Sequence, residues 1–92
     1  MVAAEMDFRT ELFDPLNRCV LGIDAQSGAH LFAIPVSNRL VDYEEFYKIT
    51  AQQFELFTAS ESDRERFAQA CRQRLNDDLL WYQPGTDRGV PY

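Results

Sequence analysis

The clearest pattern in the chain is a pair of short apolar runs, residues 18–24 and 29–36, separated by Ala25-Gln26-Ser27-Gly28. Both runs are rich in strand formers, and a four-residue polar segment ending in glycine is a turn, so the pattern predicts a β-hairpin. The register follows from the same residues. Pairing Asp24 with Ala29 sets Ile23 opposite His30, Leu21 opposite Phe32 and Cys19 opposite Ile34. Side chains alternate along a strand, so these six share one face, and five of them are apolar. A slip of one residue would scatter them over both faces. The other face carries Val20, Gly22, Leu31 and Ala33, small and apolar enough to be partly covered too. Pro35 has no N–H to donate and marks an edge or the end of pairing.

Residues 41–49 fit two patterns. As a strand, Val41, Tyr43, Tyr47 and Ile49 share a face. As a helix, Asp42 and Glu45 form a capping box, with Val41 and Phe46 as the hydrophobic staple. The strand is preferred because the next segment has its own helix start: Thr50-Ala51-Gln52-Gln53 is a capping box, with Ile49 and Phe54 placed as its staple. That helix presents Phe54 and Phe57 and ends near residues 58–60. A second begins at Ser60 or Ser62. Its Phe67, Ala68, Cys71 and Leu75 fall on one apolar stripe, and Asn76-Asp77-Asp78 ends it.

The flanks are less regular. Residues 1–17 read as a short helix or a loose arm, because Phe8, Leu12 and Phe13 have partial helical spacing before the turn Asp14-Pro15-Leu16-Asn17. Residues 79–83, short and aromatic, read as a final strand broken by Pro84-Gly85, and residues 84–92 as a mobile tail. The order of elements predicts one α+β domain with its folded core at residues 18–83. Its small, mostly antiparallel sheet contains the hairpin, a third strand and a C-terminal strand, with two helices packed on one face.

Charge narrows the partners. Fifteen acidic residues against nine basic ones give a net charge of -6. Phosphate backbones and anionic lipid surfaces are bound through lysine and arginine, so nucleic acid and membrane are not expected partners. The longest apolar stretch, residues 31–36, is far too short to span a bilayer, and Glu5 and Asp7 stand where a signal peptide needs a basic start. The cytoplasm is the expected compartment. Cys19 and Cys71 are far apart in apolar contexts and read as buried reduced thiols.

Candidate chemistry is sparse. With one histidine, His30, and two distant cysteines, no zinc set forms, and the acids around residues 42–45 lack calcium-loop spacing. Cys19 and His30 share a face but lie two cross-strand steps apart, roughly 9–10 Å, too far for a catalytic hydrogen bond. The glycines near residues 85–89 precede no helix and make no phosphate cradle. Arg64, Arg66, Arg72 and Arg74 alternate with acids and read as a solvated helix face. No cofactor is expected, and an enzyme would need His30 joined by carboxylates from elsewhere in the fold.

One segment stands apart. Asp42, Tyr43, Glu44, Glu45, Phe46 and Tyr47 mix acids with aromatics, the composition of an interface that meets a cationic partner. A charged edge strand, guarded from aggregation by its own acids, is the plainer reading. The expectation is a small acidic binding protein without catalytic activity, in its sharpest form an immunity protein or antitoxin that blocks a cationic bacterial toxin or nuclease domain. Charge complementarity would steer such a pair together. The alternative is a structural or regulatory subunit that forms a homodimer through an exposed strand edge and Trp81-Tyr82.

Overall fold

The computed structural model describes residues 6–84 and 88–92. Four strands, β1 (Phe8–Asp14), β2 (Cys19–Asp24), β3 (His30–Ser37) and β4 (Asp42–Ile49), form an antiparallel meander in the order β1-β2-β3-β4. Helices α1 (Ala51–Ala59) and α2 (Glu61–Arg72) follow, and β5 (Val90–Pro91) returns to pair with β3. The architecture is the expected α+β layer, with both helices contributing to the core on one sheet face.

The central hairpin has the register that its apolar pattern dictates. Leu21 faces Phe32 and Ile23 faces His30. The turn closes through Asp24 N–H to the Ala29 carbonyl at 2.9 Å and Gly28 N–H to the Asp24 carbonyl at 2.7 Å, with Gly28 in the left-handed region at φ 78°. Pro35 sits where pairing with β2 has ended. Its carbonyl accepts from Tyr92 N–H at 3.3 Å, so its missing N–H faces that side of β3 and costs the β3–β4 ladder nothing.

Residues 8–14, expected as a helix or arm, are a strand. Phe8 pairs with Asp24 and Phe13 with Val20, and the register slips between Thr10 and Leu12. That bulge inserts one residue, so Phe8 and Phe13, five apart, point to the same face. The bulge also blunts an edge strand that would otherwise invite pairing.

Within residues 41–49 the strand is formed, as preferred, over Asp42–Ile49, and Thr50 caps α1 with both bonds of the capping box in place. Ser60, rather than Ser62, caps α2 by accepting from Asp63 N–H. Phe67, Ala68 and Cys71 pack inward, but Leu75 does not continue the stripe. The helix stops at Arg72 because Leu75 N–H bonds to the Ala70 carbonyl and Arg74 N–H to the Cys71 carbonyl, a Schellman closure with Arg74 at φ 62°.

The C-terminal strand is also in a different place. Residues 77–79 form a 3₁₀ turn, and Leu80 makes only a single bridge to Tyr47. The apolar pair straddles the β4 edge: Leu80 enters the core, while Trp81 donates to the Phe46 carbonyl at 2.8 Å and lies under Lys48. The expected mobile tail is ordered at residues 88–92, where Gly89 is buried and Val90–Pro91 fills the slot that β2 leaves beside β3. Gly85, Thr86 and Asp87 lie outside the described residues.

The core joins Phe32, Ile34, Val36 and Tyr47 from the sheet to Phe57, Ala68 and Cys71 from the helices. Phe32 meets Phe57 and Phe67 edge-on, with centroids 5.6 and 4.7 Å away. Burial pushes the Cys19 thiol up to about 11 and the Cys71 thiol up to about 12, which keeps both in the inert, protonated form. On the helix-free face, the Phe8 ring lies over Gly22, where an added Cβ would come within 2.5 Å of Phe8 Cζ and closer still to the Arg9 carbonyl. Gly22→Ala is therefore expected to lower unfolding stability by about 1–3 kcal/mol. Equal urea midpoints for the variant and the parent would show that the ring does not sit there.

Candidate functional site

Alternation along β4 divides the acidic-aromatic segment into two rows. Register with β3 places Tyr43, Glu45 and Tyr47 opposite Val36, Ile34 and Phe32, on the helix-covered face. Asp42, Glu44 and Phe46 lie opposite Ser37, Pro35 and Ala33, on the face without helices. The six residues therefore do not form one surface. Glu45 and Tyr47 are buried, which corrects the expectation that they meet a partner.

The inner row is structural. Arg88 donates to both oxygens of Glu45, at 2.7 and 3.0 Å, and to both oxygens of Asp77 at 2.8 Å. Tyr47 donates its hydroxyl to Glu45 at 3.0 Å, and the Tyr43 hydroxyl accepts from Gly89 N–H at 2.6 Å. Arg74 adds a bond to the Gly89 carbonyl at 3.1 Å. Together these bonds clamp the C-terminal residues onto β4 and the segment that follows α2. The Arg88 bonds hold the Asp77 carboxyl below its ordinary value, while burial drives the Tyr47 hydroxyl well above its own.

Two of the three arginines of α2 are also committed, contrary to the solvated face expected. Arg64 binds Asp14 at 3.0 Å and the Phe57 carbonyl at 2.6 Å, and Arg72 donates to the Asn17 and Arg18 carbonyls at 2.6 and 2.9 Å. They tie the β1–β2 turn to the helices. Arg66 stays exposed beside Asp63.

These networks set the response to acid. Burial raises the Asp14 carboxyl, but bonds from Asn17 and Arg64 outweigh it and leave the group below its ordinary value. The Ser27 hydroxyl and the N–H groups of Asp7, Gln26 and Ser27 lower Asp24 in the same direction. A carboxyl lowered in the folded state stabilises the fold above the ordinary aspartate range and loses that contribution as pH falls through it. The urea midpoint is expected to hold near neutrality and fall steadily below about pH 4. A midpoint level down to about pH 2 would contradict this.

The outer row belongs to a surface. Register carries Phe13, Val20, Ala33 and Phe46 in one line across all four strands of the helix-free face. Phe46 stacks on Phe8 with centroids 5.0 Å apart, and Phe13 remains 67% exposed. Asp42 and Glu44 are exposed along one flank of this apolar line, and Lys48 lies on the other. Phe8 and Phe13 were not legible as members of this face, because the bulge in β1 breaks their alternation. Tyr82, which reaches the Met6 N–H at 3.4 Å, was expected within a strand.

The remaining chemistry is limited. His30 stacks on Phe54 at 5.0 Å, at the hairpin end of the sheet. Among the described residues no three His, Cys, Asp or Glu side chains are grouped to hold a metal ion, and no helix is long and apolar enough to cross a membrane. No protein-family model, curated protein or solved structure matches the chain.

Proposed function

We propose that the protein binds a cationic protein partner through the helix-free face of its sheet. The observation that carries this reading is the outer row of β4, where exposed Asp42 and Glu44 flank an apolar line ending in exposed Phe13. An apolar centre rimmed by carboxylates suits a partner that presents aliphatic stems with basic heads. Charge complementarity speeds the encounter, and exposed Phe13 with the half-buried rings of Phe8 and Phe46 supplies the apolar area to hold it, Val20 and Ala33 being buried beneath. The sharpest form of the proposal is an immunity protein or antitoxin that covers the basic, phosphate-binding site of a bacterial toxin.

The test is co-expression with a cationic toxin domain encoded beside the gene, with affinity measured by calorimetry over a salt series. The expected result is protection of growth and a complex that weakens with salt. The double variant Asp42→Lys/Glu44→Lys is expected to lose at least about tenfold in affinity. Unchanged affinity in that variant would remove the reading. Exposed Phe13 also favours a second copy as the occupant, and sedimentation over a concentration series decides it: a constant monomer excludes self-association.

A further inference from the structure

Beyond the point where Leu80 bridges to Tyr47 and Trp81 bonds to Phe46, no strand among the described residues pairs with the outer edge of β4. There Tyr43, Glu44, Tyr82, Gln83, Pro84 and Arg88, with Glu45 behind them, line a cavity of about 270 Å³. We infer that this cavity receives an arginine side chain of the partner, an inference that rests on the proposed cationic partner and names the group it inserts.

The electrostatics select a cation. Glu45 and Asp77 already share the one Arg88 guanidinium, and the Glu44 carboxylate lines the cavity in addition. Glu44 makes no hydrogen bond or ion pair among the described residues. Its carboxyl is raised above its ordinary value by the walls around it, although the side chain still reaches solvent. A carboxylate partly stripped of water and without a partner gains most from a charge-assisted bond.

The walls select a guanidinium. Two tyrosines, a residue type on which a guanidinium stacks, line the cavity; the Tyr43 hydroxyl is anchored by Gly89 N–H at 2.6 Å, and the exposed Tyr82 hydroxyl reaches Met6 N–H at 3.4 Å. The Phe46 carbonyl points outward to Trp81 N–H, and alternation turns the Glu44 carbonyl to the same outer edge of β4, where the cavity lies. A planar fork can then bond to the carboxylate and the carbonyl while lying on a ring, which a lysine ammonium cannot do.

The experiment is an NMR titration of the 92-residue chain with the peptide acetyl-Gly-Arg-Gly-amide, its citrulline and lysine analogues, and free arginine. The expected result is saturable shifts at Glu44, Tyr43 and Tyr82 with a Kd on the order of 1 mM for the arginine peptide. Citrulline should give none, and lysine and free arginine should bind more weakly. Glu44→Gln should weaken arginine binding at least about tenfold, while Glu11→Gln on β1 should leave it unchanged. Equal binding by citrulline, or by the Glu44→Gln variant, overturns the inference. Tighter binding of free arginine than of the peptide also overturns it, by assigning the cavity to a small molecule. A cationic toxin that binds Glu44→Gln as tightly as the parent, yet fails on the double lysine variant, removes the arginine pocket and leaves the face intact.

Discussion

Arg88→Met is expected to lower the unfolding free energy by about 3 kcal/mol, the largest effect of any charged residue in the chain. The reason is the partner left behind. Glu45 is 7% exposed in its side chain and cannot regain water without opening the fold. Asp77 is 39% exposed and contributes less, because solvent already screens it. Removing one member of a buried pair leaves an uncompensated charge, whereas removing both leaves none. The double variant Arg88→Met/Glu45→Leu should therefore recover much of the loss, and the gap between single and double variants in urea unfolding measures the coupling. A single variant within about 0.5 kcal/mol of the parent would mean that the C-terminal clamp carries no stability.

Phe32→Ala should be about as damaging, at roughly 3–5 kcal/mol. Phe32 lies between Leu21 and Tyr47 in the sheet and carries both Phe57 and Phe67 on its ring. No other described ring makes two such edge contacts with the helices. Truncation leaves a cavity under the junction of α1 and α2, which the sheet backbone cannot close. A domain of this size has about 5–10 kcal/mol in total, so the variant should sit near its unfolding midpoint when warmed. Phe32→Leu should cost less than half as much, since it keeps most of the volume. Equal losses for the two would mean that ring contact, rather than filled space, holds the helices.

Legibility in the sequence tracked how local the governing interactions are. The central hairpin was legible to the residue, because turn chemistry at Asp24–Gly28 and alternation on either side are short-range and agree. The Thr50 capping box was legible for the same reason. Strand β1 was not, since one bulged residue turned a period of two into a spacing that mimics a helix. Residues 79–83 misled because an apolar run can seat one residue, Leu80, in the core at a sheet edge by a single bridge and leave its aromatic neighbours half-buried or exposed. Arg88 was invisible as a structural residue. Nothing in the local sequence of a polar, glycine-containing tail signals a bidentate contact with carboxylates 11 and 43 residues away.

The candidate site shows the same division. The mixture of acids and aromatics at residues 42–47 was plain in the sequence, but its meaning depends on which face each residue takes. Alternation sends Glu45 to Arg88 on the helix-covered face and Glu44 to the helix-free face, so neighbours of identical chemistry differ in burial and in partners. In β4 one row joins the fold through Arg88 and the core, and the other row is the one proposed to meet a partner.

That division of β4 is the central claim, and a single comparison tests it most directly: urea unfolding of Glu44→Gln and Glu45→Gln side by side at neutral pH. Glu45→Gln should lose about 1.5–3 kcal/mol, as a buried charge-assisted bond to Arg88 is weakened. Glu44→Gln should stay within about 0.5 kcal/mol of the parent. Equal losses, or a greater loss at Glu44, would contradict the assignment of one row to the fold and the other to the partner.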